Sequence, residues 1–365
     1  MNLYSSFNLL LGVFHIKFIN NALNLQFNKL DFKFGFKYTF IFLISLVLNW
    51  YLFGLNFALI SAIISTFYFA IPKKNIKIRP SSKIIYIYLI IILVTFLGYL
   101  ATTNLFLSLL FNLLVPFVIV CLFSDEININ GYIFYYSLFI DMQLCGITLD
   151  MFNLHLISTF IGLIIGYVFE EVILSNNYKS IGLNVMDFKE YFVINLKSNY
   201  IKLKDGLNLD LLISRFAFRL SIATAFSFVF LKYLNLPKWQ WISLSTCFTL
   251  VPICNESKIK AFNRIKGTII GGGIFLMCSF LIKDVFISIV LAVFSILLMF
   301  AYLPHQRQAE SYIFCTYFAL SFSIISLSAI TATTYRILYV LIGAFITILF
   351  NKFVLPNKSK KLCNQ

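Results

Sequence analysis

Few residues of this chain could do chemistry in an apolar environment, and they stand out against long hydrophobic runs. Asp141 lies near the middle of such a run, in LFIDMQL. On insertion scales, a carboxylate at the centre of a membrane-spanning helix costs about 2.5–3.5 kcal/mol, so it should face protein or water. Asp141 is therefore interpreted either as a proton-coupling carboxylate or as the partner of a basic residue.

Two further residues, Arg336 and His155, begin the last apolar run of each half of the chain, on a side otherwise poor in Lys and Arg. A cation placed there needs a reason. It could attract an anion at the exit of a pathway, or it could snorkel to outer headgroups. Four cations before the first run of each half could form a matching inner ring, or could be ordinary topology anchors. These are Lys33, Lys37, Arg215 and Arg219.

One segment superficially resembles an enzyme motif. His305 and Glu310 have an acyltransferase-like spacing, in which the histidine would activate a hydroxyl. The chain has only three histidines, and no phosphate-binding loop, nucleophile triad or Cys/His metal spacing accompanies the pair. We therefore expect no enzymatic activity, no cofactor and no metal.

Composition points to a membrane protein. The chain has 365 residues, of which 60% are hydrophobic and 12% charged, against roughly 25% charged in soluble domains. The formal charge of +15 lies in short clusters between apolar runs, which argues against nucleic acid and for contact with a lipid bilayer. A helical span needs about 20 mostly apolar residues, and about twelve spans are predicted. They are 36–53, 55–72, 84–101, 104–123, 131–148, 153–173, 213–233, 239–255, 266–282, 285–303, 311–329 and 332–354.

Lysine and arginine are concentrated on one side of these spans, which predicts that both termini are cytoplasmic. The two halves also repeat: KFGFK at 33–37 matches RFAFR at 215–219, and HLISTFIG at 155–162 matches RILYVLIG at 336–343. Because six spans per unit is even, the repeats should be parallel, and a pathway is expected between them. An ancient duplication without a pore is the alternative.

The predicted domain boundaries follow from the repeat. They are an interfacial segment 1–32, a first six-helix repeat 33–173, an interfacial linker 174–212, a second repeat 213–355 and a basic cytoplasmic tail 356–365.

A basic cluster that ends at a glycine lies in RIKGTIIGGG, at 264–273. In a membrane protein this pattern marks a cytoplasmic helix start, with cations at the headgroups and glycines that let another backbone approach. Gly267 and Gly271 have GxxxG spacing, which favours either tight helix packing or backbone that lines a pathway. Gly162 and Gly343 begin the same small-xxx-small spacing in the last helix of each half, where packing is expected.

These motifs resemble the fusaric acid resistance (FUSC) proteins of the aromatic acid exporter superfamily. The resemblance covers about 213–355. It rests on RFAFRLSIATAFSFVF, on Trp241 before an apolar run that ends at Pro252, on Arg264-x-x-Gly267-Thr268-x-x-Gly271, and on Arg336 seven places before Gly343. The first half lacks the glycine motif, because Ser81, Ile84 and Ile85 occupy its positions.

The resemblance implies an all-α transporter, typically an exporter of aromatic carboxylic acids. The same superfamily is also similar to plant malate channels, in which two six-helix subunits enclose an anion pore. We expect a multi-pass protein of the bacterial inner membrane that exports small organic anions, as a homo-oligomer or with a periplasmic efflux partner. The alternative is a non-transporting membrane scaffold, or a subunit of an envelope or efflux assembly.

Overall fold

All regular secondary structure in the part of the chain that the structure describes is helical. The computed structural model describes residues 30–68, 80–124, 131–145, 148–169, 185–233, 238, 240–282, 284–305, 308–324 and 327–355. The helices are α1 (Phe32–Phe53), α2 (Leu55–Phe67), α3 (Pro80–Thr103), α4 (Leu105–Phe123), α5 (Tyr132–Cys145), α6 (Leu149–Tyr167), α7 (Val185–Gly206), α8 (Leu212–Tyr233), α9 (Gln240–Thr249), α10 (Cys254–Leu281), α11 (Val285–Tyr302), α12 (Gln308–Ser323) and α13 (Ala329–Phe353).

Seven of these helices are long and apolar enough to cross a membrane: α1, α3, α4, α6, α10, α11 and α13. The prediction of an all-α membrane protein is therefore confirmed. Each of the twelve predicted segments overlaps one of the helices, although α10 begins at Cys254, 12 residues before its predicted segment. Twelve crossings, the repeat and the cytoplasmic termini remain predictions. The N-terminal interfacial helix and the basic tail fall outside the described residues.

The second and fifth helices are the shortest in both halves. In the first half the second and fifth helices are short, with 13 residues in α2 and 14 in α5. In the second half the corresponding helices have 10 residues in α9 and 16 in α12. A helix of 13 residues extends about 20 Å, short of the roughly 30 Å hydrocarbon core. The short helices therefore need longer neighbours to complete the membrane layer.

By internal contacts the chain divides into two compact units. The smaller unit comprises Met1–Thr39 with Phe262–Leu338, and the larger comprises Phe40–Ala261 with Tyr339–Gln365. In the smaller unit α11 packs against α12, and the first turn of α1 lies on the end of α11. There the Asp31 N–H donates to the Ala301 carbonyl at 3.1 Å.

The core of the larger unit is built around α3, α5, α4 and α8. Helix α4 packs along α8, while α3 contacts α4, α5 and α6. Fully buried side chains such as Ile91, Tyr132 and Phe216 fill the space between them. The unit joins helices from both halves of the sequence, so packing does not follow chain order.

The second and sixth helices of each half meet through small residues in the larger unit. A Cβ at Gly162 on α6 would lie 2.6 Å from the Ser61 carbonyl oxygen on α2, and one at Gly166 would lie 2.7 Å from that of Ser65. In the second half a Cβ at Gly343 on α13 would lie 2.7 Å from Ser245 Cβ on α9. One turn further, the hydroxyls of Thr249 and Thr347 are hydrogen-bonded at 2.7 Å.

These contacts correspond residue by residue between the halves. The α13 residues follow their α6 counterparts by 181 positions, and the α9 serine and threonine follow their α2 counterparts by 184. The residue immediately before α2, Gly54, has φ 88, and its counterpart Lys238 has φ 56. Only glycine adopts this left-handed region without steric cost, which makes the shared turn geometry informative.

We predict that Gly162→Ala destabilises the protein by about 1–3 kcal/mol, because the added methyl would overlap the α2 backbone. Gly273→Ala is the matched control: a Cβ there meets nothing within 4 Å, and alanine favours the helix. Unfolding of purified protein by SDS titration in detergent measures both. Equal stability of the two variants would contradict the packing of α6 on α2.

Candidate functional site

The glycines of the RIKGTIIGGG segment bring α10 into backbone contact with α12, within the smaller unit. A Cβ at Gly267 would lie 2.7 Å from the Ala309 carbonyl oxygen, and one at Gly271 would overlap the carbonyl oxygen of Ile313. No side chain larger than hydrogen fits at either position. The packing interpretation of the two glycines therefore accounts for their contacts.

This close approach places polar side chains of the two helices against each other. Arg264 is 5% exposed, and its guanidinium lies over the Tyr312 ring at 5.1 Å from the centroid. One turn along α10, the Thr268 hydroxyl accepts a hydrogen bond from that of Thr316 at 3.5 Å. A guanidinium on an aromatic face is held in orientation as well as stabilised.

Arg336 on α13 belongs to the same cluster. It is 7% exposed and within electrostatic range of both Arg264 and the Cys315 thiol. The glycine run also packs against α13, since a Cβ at Gly272 would lie 2.9 Å from Thr333 Cγ2. We call Arg264, Thr268, Tyr312, Thr316 and Arg336 the arginine cluster.

The arginine cluster has the chemistry of an anion site. Two guanidinium groups lie within electrostatic range of each other, on helices that are long enough to cross a membrane. Each offers a planar set of N–H donors that matches a carboxylate, and two hydroxyl groups lie beside them. A buried acidic residue, Glu310, lies in the first turn of α12 in the same unit.

A second basic residue, Arg219, occupies a different environment in the larger unit. Its side chain is fully buried. It donates to Asn351 Oδ1 at 2.8 Å, to the Pro252 carbonyl at 3.0 Å and to the Arg215 carbonyl at 3.3 Å. Arg219 thereby ties α8 and α13 to the turn that connects α9 to α10.

That turn, residues 250–253, is buried non-helical backbone, which must find hydrogen-bond partners inside the protein. Besides Arg219, the Tyr132 hydroxyl donates to the Leu250 carbonyl at 3.4 Å, and at 2.8 Å to that of Cys247 in the last turn of α9. The Ser257 hydroxyl accepts from the Val251 N–H at 2.9 Å and donates to its carbonyl at 3.1 Å. We call Tyr132, Arg219, Ser257 and Asn351 the turn clamp.

The other predicted site residues are spread over both units. Arg215 is buried and its guanidinium lies 3.7 Å from the exposed Asp210 carboxylate. In the smaller unit, Lys33 is exposed and Lys37 lies over the Tyr38 ring at 5.7 Å. Asp141 is half-buried on α5.

His155 is fully buried on α6, and its two ring nitrogens have no hydrogen-bond partner among the described residues. It lies one turn before Ser158, whose hydroxyl donates to the Phe57 carbonyl of α2. Trp241 is buried at the start of α9, 6.5 Å from the Tyr339 ring between centroids. Within the described residues no group of three or more His, Cys, Asp or Glu side chains could hold a metal ion.

Several residues that matter in the structure carry no clear sequence signal. Tyr132 and Tyr312 are two of 20 tyrosines, and Asn351 lies at the polar end of the last apolar run. Thr249 and Thr347 could have been indicated by the small-xxx-small spacing, which Ser245 and Thr249 have on α9 and Gly343 and Thr347 have on α13. Tyr312 and Thr316, one turn apart on α12, could have been found only by knowing which helix meets the glycine motif.

Comparison with known proteins gives one match. A sequence model of the fusaric acid resistance protein-like family matches residues 222–350, about a third of the chain. This range contains the arginine cluster and confirms the resemblance drawn from the motifs. Searches of curated proteins and of solved structures give no significant match.

We predict that Arg219→Ala lowers the free energy of unfolding by at least about 2 kcal/mol, because buried carbonyl groups lose a charged donor. Arg219→Lys should recover only part of this loss, since an ammonium cannot reproduce the guanidinium fork.

Asp210→Ala is the control, because it removes a contact to a carboxylate that is 79% exposed and should cost under about 1 kcal/mol. SDS-titration unfolding in detergent compares the three variants. Full rescue by lysine would show that the charge of Arg219, and not its bond geometry, stabilises the turn.

Proposed function

We propose that this protein transports small organic anions out of the cell. Residues 222–350 match the model of the fusaric acid resistance protein-like family, whose members are membrane transport proteins. Aromatic carboxylic acids are the first substrates to test. The pathway is proposed to run between two parallel six-helix repeats. The matched contacts of α2 with α6 and of α9 with α13, and the short second and fifth helices of each half, support this duplication.

The arginine cluster is the observation that carries the proposal. Arg264 and Arg336 are buried in apolar helices, where an ionised side chain is costly unless it pairs or serves a pathway. The two guanidinium groups are within electrostatic range of each other, so an anion bound beside them would be attracted by both. The carboxylate of a transported acid would be stabilised there and could still be released.

Membrane energetics favour export as the direction. An inside-negative potential drives a monoanion outward by about 2.3 kcal/mol per 100 mV. That alone supports a concentration ratio of roughly 50-fold per 100 mV, without coupling to protons. A proton-coupled mechanism would assign the coupling to Asp141.

The other candidate pathway residues are proposed as well. His155, Arg215, Lys33 and Lys37 stand as candidate contacts along the route. Arg219 is a candidate as well, although its bonds to the 250–253 turn give it a stabilising role already. We further propose a bacterial inner-membrane location with cytoplasmic termini, and assembly as a homo-oligomer or with a periplasmic efflux partner.

We predict that Arg336→Ala and Arg264→Ala each reduce efflux of a labelled aromatic acid from proteoliposomes by at least 10-fold. Lys352→Ala is the matched control, since it removes an exposed cation near the other end of the helix that carries Arg336. Folded protein is verified by size-exclusion chromatography. Unchanged efflux in both arginine variants would remove the cluster from the pathway.

Absence of flux for every acid in the panel would instead favour the non-transporting scaffold. Co-purification of envelope proteins with the wild-type chain would then identify the assembly.

Cys315 offers a direct test of ligand binding, because its thiol lies within electrostatic range of Arg336. In a variant that keeps Cys315 as its single cysteine, we predict that a transported acid slows labelling by a small methanethiosulfonate at least threefold. A variant that keeps only Cys278 is the control, because this thiol lies on α10 near Tyr317. Equal slowing at both thiols would indicate a general conformational effect and no local ligand.

A further inference from the structure

Helix α7 is docked on one side against two membrane-spanning helices of the larger unit. Its Asn199 side chain donates to the Tyr86 hydroxyl at 2.8 Å, near the start of α3. Its Lys202 ammonium donates to the Leu122 carbonyl at 3.0 Å, in the last turn of α4. Because α3 begins where α4 ends in the membrane layer, α7 lies at one membrane boundary.

The other side of α7 is exposed and unusually apolar for a polar helix. Val193 is 42% exposed, Leu196 49% and Tyr200 70%. The same helix carries three exposed lysines: Lys189, Lys197 and Lys204. At 3.6 residues per turn, these six side chains fall within an arc of about 100°.

The exposed acidic residue Asp205 lies outside this arc, about 80° beyond its nearer edge. The apolar and basic side chains therefore lie on one face of α7, and the Asp205 carboxylate lies on a different face. Apolar side chains with interspersed lysines and an aromatic ring are the composition of helices that lie in the headgroup layer.

We propose that this face of α7 binds anionic phospholipid, with Val193, Leu196 and Tyr200 in the acyl boundary and the three lysines on the headgroup phosphates. The docked face transmits this attachment to α3 and α4 through Asn199 and Lys202. Charge complementarity and position at the membrane boundary select lipid as the occupant. The interaction does not depend on the proposed transport function.

The test compares thermal unfolding of the full-length protein in detergent with added phosphatidylglycerol or phosphatidylcholine. Phosphatidylglycerol should raise the Tm more than phosphatidylcholine, and Lys197→Gln with Lys204→Gln should at least halve that difference. Lys258→Gln with Lys352→Gln is the matched control, since it removes two exposed lysines from other helices. Soluble glycerol phosphate should have no effect.

Equal loss of the lipid response in both double variants would overturn the assignment to α7, as would the same response to glycerol phosphate. A second measurement tests insertion of the face. A nitroxide at Tyr200→Cys in phosphatidylglycerol vesicles should collide more with oxygen than with a water-soluble nickel chelate. A nitroxide at Asp205→Cys should show the reverse. Water-like accessibility at position 200 would also overturn the proposal.

Discussion

Close approach of helix backbones at small residues is the interaction on which the rest of this structure depends. Inside a bilayer there is no hydrophobic force between helices, so association rests on van der Waals packing and on interhelical hydrogen bonds. Backbones come together at three such contacts: Gly162 with Ser61, Gly343 with Ser245, and Gly267 with Ala309. Each contact fixes the height at which two helices cross, and thereby which polar side chains meet.

The same absence of water explains why buried polar groups are concentrated at a few places. The turn at 250–253 exposes backbone groups that a continuous helix would satisfy itself. Tyr132, Arg219 and Ser257 supply partners for the Leu250, Pro252 and Val251 backbone from α5, α8 and α10. A charged donor is effective here because its bonds to neutral carbonyls strengthen in a low dielectric. The arrangement gives Arg219 a stabilising role at this turn, in addition to its candidate place in the proposed pathway.

The positions of the helices could be predicted because hydrophobic runs, basic clusters and glycine spacing are local signals. α6 and α13, for example, begin and end near the limits of their apolar runs, and their small-xxx-small patterns correctly indicated packing. The arginine cluster could not be assembled in the same way. Arg264 and Arg336 are 72 positions apart, and each has an independent explanation as a topology or headgroup residue. Only the contact of α10 with α13 shows that they are neighbours.

The proposed repeat and the arginine cluster together imply that the two halves have different roles. In the first half Tyr88 takes the position of Gly271. Its hydroxyl donates to the Leu156 carbonyl of α6 at 3.3 Å, and its ring packs at a tilt against Phe160, 4.7 Å between centroids. His155 takes the position of Arg336. A bulky ring and an imidazole thus stand where the second half has a glycine and a guanidinium. The first half keeps the small-residue contacts that hold its helices together, but Ser81 and His155 occupy the positions that match Arg264 and Arg336. The proposed anion site therefore occurs once in each chain.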